Sequence, residues 1–159
     1  MHASARKDYP IITPAILATY DGFLFGIPAR YGNFPAQWKA FWDSTGRLWA
    51  KTALAEKYAG VFVSVAAQGG GQEETIQNSL SSLVHHGIIY VPLGYKNVLP
   101  LLTNMEEIHG GSPWGAGVIT GSDDLRAASA LEHEIARIQG KNFAEVLSRV
   151  NFPVADDAV

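Results

Sequence analysis

The chain has 159 residues, of which 47% are hydrophobic and 17% charged, a composition typical of one globular domain with a buried core. Its formal net charge of −3, without a block of like charges, argues against a nucleic-acid-binding protein, and its lack of cysteine excludes disulfides, thiolate catalysis and cysteine-ligated metals. Because no apolar run is long enough to cross a membrane and the N-terminus lacks the apolar core of a signal peptide, we expect a cytoplasmic protein without an integral membrane segment.

The first third of the chain predicts a strand and then a helix. Residues 1–19 are polar and contain prolines, which predicts an extended lead-in with a short helical turn near residues 16–20. The apolar run at 22–27 ends at Pro28 and does not alternate with polar residues, as expected for a strand covered on both faces. A helix ending near Gly46 is predicted next by residues at helical spacing, namely Trp38, Phe41, Trp42 and Thr45.

A second strand and helix follow, joined by a glycine-rich loop. The run at 60–65 is rich in β-branched residues and leads into the segment AAQGGGQEE. The helix after this loop is predicted to end before Gly87, which is well suited to the position after a helix. Its predicted apolar face consists of Ile76, Leu80, Leu83 and Val84.

The rest of the chain predicts two further strands, at 88–92 and 115–120, and a long amphipathic helix at 128–150. Between the strands, residues 97–114 contain turn residues without a clear period, and a loop of this length is usually functional. Residues 151–159 are expected to form a disordered tail. Alternating strands and helices predict a single α/β domain with a parallel sheet.

Ligands of open parallel sheets bind beyond the carboxyl ends of the strands, so the loops at 28–33, 64–72 and 92–114 are the candidate site. Arg30 can hold a phosphate or carbonyl oxygen, and Tyr31 can stack on a ring system. Three consecutive glycines allow backbone N–H groups to turn toward a planar or anionic ligand. On the residues alone, the three glycines are equally compatible with a flexible turn, and Arg30 and Tyr31 are each more often ordinary surface-loop residues.

Other common functional motifs are missing from the sequence. His85 and His86 are adjacent at a helix end, so they point in different directions and cannot bind one metal ion there. His133 lacks the second histidine of a zinc-protease motif, and the segment around Ser112 is not a hydrolase nucleophile elbow. Trp49 lies outside the predicted apolar face, which leaves either packing or a stacking surface as its role.

Five ordered segments resemble WrbA-type flavodoxin-like NAD(P)H:quinone oxidoreductases, particularly the fungal members. They are YDGFLFGIPARYGNFPAQWKAFWD from residue 20, LWA from residue 48, QGGGQE from residue 68, LVHHGIIYVPLGY from residue 83, and GGSPWGAG from residue 110. The resemblance implies a doubly wound parallel sheet that binds FMN at three loops. It also implies hydride transfer from NAD(P)H to the flavin, two-electron reduction of a quinone, and assembly as a homo-oligomer, commonly a tetramer.

The same resemblance implies which residues contact the ligands. Trp49 would belong to the quinone or nicotinamide pocket, and no catalytic side chain and no metal ligand is implied. The flavin-binding residues would be Ala29, Arg30, Tyr31, Gly32, Asn33, Ser64, Val65, Ala66, Ala67, Gln68, Gly69, Gly70 and His85.

Family members begin with a strand, a phosphate-binding loop of SxxG type, a helix and a second strand, and none of these precedes residue 20 here. The resemblance therefore predicts a partial flavodoxin-like domain that lacks its first two strands and the helix that receives the FMN phosphate. Two functions remain open at this point. One is an FMN-dependent quinone reductase, and the other is a non-enzymatic flavodoxin-like paralogue or fragment with weak or no FMN binding that acts as a structural or interaction protein.

Overall fold

A computed structural model of the protein describes residues 8–123 and 125–152. Within these ranges the chain alternates between strands and helices, as the sequence predicts. The predicted disordered tail lies outside the described residues from position 153 onward, as does most of the first half of the lead-in. In chain order the elements are α1 Pro14–Ala18, β1 Gly22–Pro28, α2 Ala36–Asp43, α3 Gly46–Ala50, β2 Tyr58–Val65, α4 Gln72–His85, β3 Ile89–Tyr90, α5 Leu99–Leu102, β4 Gly117–Ile119 and α6 Ala130–Leu147.

The longest strands of the sheet are the parallel pair β1 and β2, whose register runs from Gly22 opposite Tyr58 to Pro28 opposite Ser64. One face of this pair packs under α2 and α4, where Trp42 and Ile76 join the largest buried cluster. Burial of this face removes apolar surface from water, which is the main stabilising contribution to such a core. The strand residues in that cluster are Phe23, Ile27, Ala59, Val61 and Val63. The two predicted strands at 22–27 and 60–65 are therefore confirmed.

β3 and β4 both pair with β2 in parallel, at its two ends. β3 lies beside residues 58–59, and β4 lies beside residues 63–65. Since β1 occupies the other side of β2, these two short strands share a single sheet position. The run at 115–120, expected to be a further strand of the sheet, is thus the second half of an interrupted strand.

The gap between the two half-strands is closed by a side chain from α6. Gln139 Nε2 donates to the carbonyl oxygen of Val61 at 2.9 Å, and Gln139 Oε1 accepts from the N–H of Ala116 at 2.8 Å. Gln139 is buried, so it replaces the main-chain partners that a continuous strand would provide. Tyr90 also ties the halves together, because its hydroxyl donates to the carbonyl oxygen of Trp114 and burial raises its pKa.

α6 begins with a capping box that the sequence pattern alone did not single out. Ser129 Oγ accepts from the N–H of Glu132 at 3.2 Å, and Glu132 Oε2 accepts from the N–H of Ser129 at 2.8 Å. The same buried carboxylate also accepts from the N–H groups of Gly110 and Ile119 and from Arg126. One glutamate therefore holds together the start of α6, the end of the insertion and β4.

Two expectations about the helices are corrected by the structure. Val84 was predicted on the apolar face of α4, but its side chain is 72% exposed. The buried face is centred on Ile76 and Leu83 and includes Thr75 and Ser79, which places Val84 on the flank of the helix. The insertion at 97–114, expected to lack helical structure, contains the short helix α5.

Within the described part of the chain, β1 pairs with β2 alone and so forms one edge of the sheet. Leu24 and Phe62 are each 43% exposed on the face that α6 covers incompletely. A further apolar groove of about 610 Å³ runs along β1 and includes Ile12 and Trp38. None of the helices in the described ranges has the length and apolar character needed to cross a membrane.

Candidate functional site

Two loops meet at the carboxyl ends of β1 and β2. A Cβ atom on Gly71 would lie 3.2 Å from the Cα atom of Gly32, so the two backbones are in close contact. Both glycines have positive φ, and Asn78 Nδ2 donates to the carbonyl oxygen of Gly32 at 2.6 Å. The structure thus brings together the arginine-containing loop and the glycine-rich loop, at the end of the sheet where ligands of such folds bind.

The first of these loops is a tight turn from Arg30 to Asn33. The two residues exchange backbone hydrogen bonds of 2.7 and 3.0 Å, and Tyr31 between them has φ of +53°. The Tyr31 side chain is fully exposed, so one face of its ring is available for stacking. The Arg30 guanidinium donates to the carbonyl oxygen of Ala29 at 2.8 Å and is exposed. Both predicted contact residues are therefore accessible.

The second loop, residues 66–71, offers backbone donors. The described structure gives only one N–H of this loop an intramolecular partner, the Gly70 N–H bound to Ala67 O at 3.0 Å. α4 begins directly after Gly71, which has no side chain to cap the helix. The same short segment therefore carries both the unpaired N–H groups and the positive end of the helix dipole, and both favour an electron-rich ligand. Ala66, Ala67, Gln68 and Gly69 are all exposed in it.

The insertion supplies a third wall. Gln72 Oε1 accepts from the N–H of Gly111 at 2.8 Å, which holds the insertion against the start of α4. A cavity of about 430 Å³ opens between them and is lined by residues 69–74 together with Gly111 and Ser112. Sequence reasoning placed Gln72 in a motif without giving it a role, although its position directly after three glycines indicates contact with whatever the loop faces.

Two predicted site residues belong to the sheet rather than to the loop surface. Ser64 O accepts from the N–H of Ala29 at 2.9 Å, and Val65 O accepts from the N–H of Thr120 at 2.8 Å. Val65 is buried with 4% of its side chain exposed. These carbonyl oxygens hold the strand ends in register, and the two residues set the position from which the glycine loop departs.

The remaining predicted residues, Trp49 and His85, lie elsewhere. They line a cavity of about 590 Å³ at the C-terminal end of α4, together with Ala55 and Val84. α4 has 14 residues, so this cavity is about 20 Å from the glycine loop at the start of the helix. Within one chain, the structure therefore separates these two side chains from the loops at 29–33 and 66–71.

The two adjacent histidines have different surroundings. His85 is exposed, whereas His86 is buried with its Nε2 atom 2.8 Å from Thr45 Oγ1. Burial, followed by the neighbouring His85, lowers the pKa of His86. Among the described residues, no group of three or more histidine, aspartate or glutamate side chains is arranged to hold a metal ion.

Comparisons with known proteins agree with this geometry. A protein-family model described as NADPH-dependent FMN reductase matches residues 13–98. The chain is 65% identical to Protoplast secreted protein 2 of Saccharomyces cerevisiae, over 91% of this chain and 72% of that protein. It is 62% identical to NAD(P)H quinone oxidoreductase PST3 of Candida albicans, over 94% of this chain and 75% of that protein.

The fold is also similar to a solved structure. The crystal structure of a WrbA-like flavodoxin from Agrobacterium tumefaciens aligns with a TM-score of 0.64 at 24% identity, covering 86% of this chain and 72% of that one. The predicted flavodoxin-like parallel sheet is thereby confirmed as the fold.

Proposed function

The chain belongs to the NADPH-dependent FMN reductase family, and we propose that it is an FMN-dependent NAD(P)H:quinone oxidoreductase. The observation that carries this proposal is the contact between Gly32 and Gly71, which joins the arginine turn to the glycine-rich loop at the carboxyl ends of β1 and β2. Its support from relatives is the identity to a protein named as an NAD(P)H quinone oxidoreductase.

The exposed loops fit the ring system of FMN. The isoalloxazine edge carries carbonyl and nitrogen acceptors, and the N–H groups of residues 66–69 have no partner in the described structure. We propose that this loop orients the ring edge, that Tyr31 stacks beside it, and that Ala29, Gly32 and Asn33 border it. Ser64 and Val65 would not touch the ring themselves but would fix where the glycine-rich loop begins.

The charged residues in these loops indicate where the phosphate of FMN can bind. The sequence at 28–33 and 64–74 contains one cation, Arg30, and two carboxylates, Glu73 and Glu74, which line the neighbouring cavity. A phosphate is repelled by carboxylates and attracted by a guanidinium group. We therefore propose that Arg30, released from its exposed hydrogen bond to Ala29 O, contacts the phosphate or a ring oxygen.

When bound, FMN supplies the redox chemistry by accepting a hydride from NAD(P)H and passing two electrons to the quinone. The chain itself contributes binding and orientation. The backbone N–H groups of residues 66–69 would hold the ring edge in one orientation, and Gln72 keeps the insertion against the start of α4, where it would limit access of water on one side. No side chain of this chain is proposed to be catalytic.

The location of Trp49 and His85 supports an oligomeric enzyme. They are predicted to contact the flavin or quinone, yet they lie about 20 Å from the glycine loop of their own chain. We propose that a second copy brings these two residues to the first copy's loops, in a homo-oligomer that the family resemblance suggests is a tetramer. We also propose a cytoplasmic location, where NAD(P)H is available as the electron donor.

The proposal is tested by adding FMN to the purified chain and following flavin absorbance and fluorescence, and then NAD(P)H oxidation with and without 1,4-benzoquinone. Micromolar FMN binding and quinone-dependent oxidation are the expected results. A chain that takes up no FMN would overturn the proposal and favour a non-enzymatic flavodoxin-like protein. Sedimentation with and without FMN measures the oligomeric state separately.

A further inference from the structure

A buried hydrogen bond connects the two elements that carry Trp49 and His85. Thr45 precedes α3, and His86 follows α4, and their side chains meet at 2.8 Å between Oγ1 and Nε2. Thr45 is 1% exposed and His86 is 9% exposed, so water does not compete for this bond. The ring of His86 also lies 5.5 Å from the ring of Trp42, at an angle of 38°.

The direction of this hydrogen bond follows from the other partner of Thr45. The Thr45 hydroxyl has one proton, which it donates to the carbonyl oxygen of Trp42 at 2.6 Å. The Thr45 oxygen must therefore accept from His86, which places the imidazole proton on Nε2. Nδ1 is then unprotonated, and it is buried without a partner in the described part of the chain. Burial and the neighbouring His85 lower the pKa of His86, which favours this neutral form.

Thr45 and His86 each lie next to a residue that lines the cavity of Trp49 and His85 or are bonded to it. The carbonyl oxygen of Thr45 accepts from the N–H of Trp49 at 3.1 Å, so Thr45 fixes the first turn of α3. His86 is covalently next to His85, and Gly87 O accepts from the N–H of Glu56 at 2.9 Å on the other side. The Thr45–His86 bond is thus the link that sets how far Trp49 lies from His85 across the cavity of about 590 Å³.

We propose that Thr45 and His86 are positioning residues for substrate binding: their buried hydrogen bond holds Trp49 and His85 at the separation that accepts a flat aromatic substrate, such as a quinone. This rests on the proposed function, in which a second copy of the chain brings Trp49 and His85 to the flavin and the quinone. Thr45 and His86 themselves touch neither substrate nor flavin and take no part in the electron transfer.

The test compares three variants of the full chain loaded with FMN. Thr45→Val keeps the shape but removes the acceptor for His86, and Thr45→Ser keeps the hydroxyl. Ser44→Ala is the matched control, because Ser44 donates to Phe41 O at 2.6 Å in the same way but is exposed. We expect Thr45→Val to raise the KM for 1,4-benzoquinone about fivefold, the loss of roughly one hydrogen bond, with kcat within about twofold.

Thr45→Ser is expected to restore the KM, and Ser44→Ala to leave it unchanged. An unchanged KM in Thr45→Val would overturn the proposal, since a bond that only stabilises the fold lowers the melting temperature without affecting KM. Should Thr45→Val not fold, Thr45→Ala is measured against Thr45→Ser in the same way.

A second measurement does not depend on activity. Nitrogen-15 NMR of the wild-type chain is expected to show His86 with the proton on Nε2, and Thr45→Val is expected to shift the indole N–H of Trp49 and the ring protons of His85. A proton on Nδ1, or no shift at Trp49 and His85, would overturn the positioning role. A wild-type chain that reduces no quinone would instead contradict the proposed function and leave the NMR result to decide this inference.

Discussion

Gln139 Nε2 lies 2.9 Å from the carbonyl oxygen of Val61, a buried hydrogen bond between residues 78 positions apart. With Gln139 Oε1 bound to the N–H of Ala116, the side chain replaces a missing stretch of strand. We expect Gln139→Leu to lower the free energy of unfolding by about 2 kcal/mol, because one buried carbonyl and one buried N–H lose their partners. Urea denaturation measures this, and Gln77→Leu on the exposed side of α4 is the control.

Glu132 is predicted to have a larger effect on stability. Glu132→Gln keeps one acceptor oxygen but places an NH₂ group beside Arg126 and the N–H of Ser129, which are both donors. Breaking this buried pair is expected to cost about 3 kcal/mol at pH 7, measured by denaturant unfolding. The exposed pair of Arg137 and Glu134 provides the control, because Glu134→Gln is expected to destabilise the protein much less than Glu132→Gln. Equal effects of the two substitutions would contradict the role given to Glu132.

The effect of Glu132 is also expected to depend on pH. Burial opposes its ionisation, but hydrogen bonds from Ser129, Gly110, Ile119 and Arg126 outweigh burial and lower its pKa below the usual 4.5. The unfolded chain therefore binds this proton first as the pH falls, so the stabilisation is complete above pH 4.5 and is lost below it. The difference in unfolding free energy between wild type and Glu132→Gln should shrink from pH 5 to about pH 3.

His86 produces a pH dependence in a higher range. Its pKa is lowered from the usual 6.5 by burial and then by His85, so the folded protein resists protonation more than the unfolded chain does. Stability is therefore complete above pH 6.5 and falls as the pH is lowered through the folded pKa. Melting temperatures measured between pH 7.5 and 5 should fall less in His86→Gln than in wild type. His133→Gln is the control, because His133 is exposed on α6.

Gly70 is predicted to be required for flavin binding. A Cβ atom there would lie 2.6 Å from Ala67 O and 3.2 Å from the Val65 Cβ, so alanine must push the loop open. We expect Gly70→Ala to raise the Kd for FMN about tenfold in a fluorescence titration, since the N–H groups of the loop lose their common direction. Gly46→Ala is the matched control, because nothing lies within 4 Å of its added Cβ. Similar Kd values for both variants would remove the loop from the site.

The sequence predicts the central part of this protein well because the relevant signals are local. The run at 22–27 is apolar without alternation, and the structure makes it a parallel strand that is buried at Phe23 and Ile27 on one face, whereas Leu24 on the other face is 43% exposed rather than covered as predicted. The sequence also predicts that the loops at 28–33 and 64–72 lie at the same end of the sheet, since both follow parallel strands, whereas the contact of Gly32 with Gly71 is found only in the structure. The predicted features need only periodicity and the rule that loops after parallel strands meet at one edge.

The interrupted strand and the Thr45–His86 bond lie beyond sequence reasoning for a physical reason. Gln139 is a polar residue on an apolar helix face. Its role as the hydrogen-bond partner of Val61 O can be recognised only in the structure, where that carbonyl oxygen lies in the gap between the two half-strands. Thr45 fits the predicted apolar face through its methyl group, so the pattern gives its hydroxyl no role. That hydroxyl is hydrogen-bonded to His86, which lies 41 positions later in the chain. Both depend on contacts between segments far apart in the chain, which no local pattern encodes.

The interrupted strand has a consequence for how the protein can change. Because a side chain of α6 seals the gap beside β2, residues 92–115 form a cassette whose length is not tied to the register of the sheet. This cassette delivers Gly111 and Ser112 to the mouth of the cavity beside the glycine loop. Changes in the exposed part of this cassette can therefore alter which substrates enter, while the buried Leu93 and Val98 keep their packing against α6 and the pairing of β1 with β2 stays as it is.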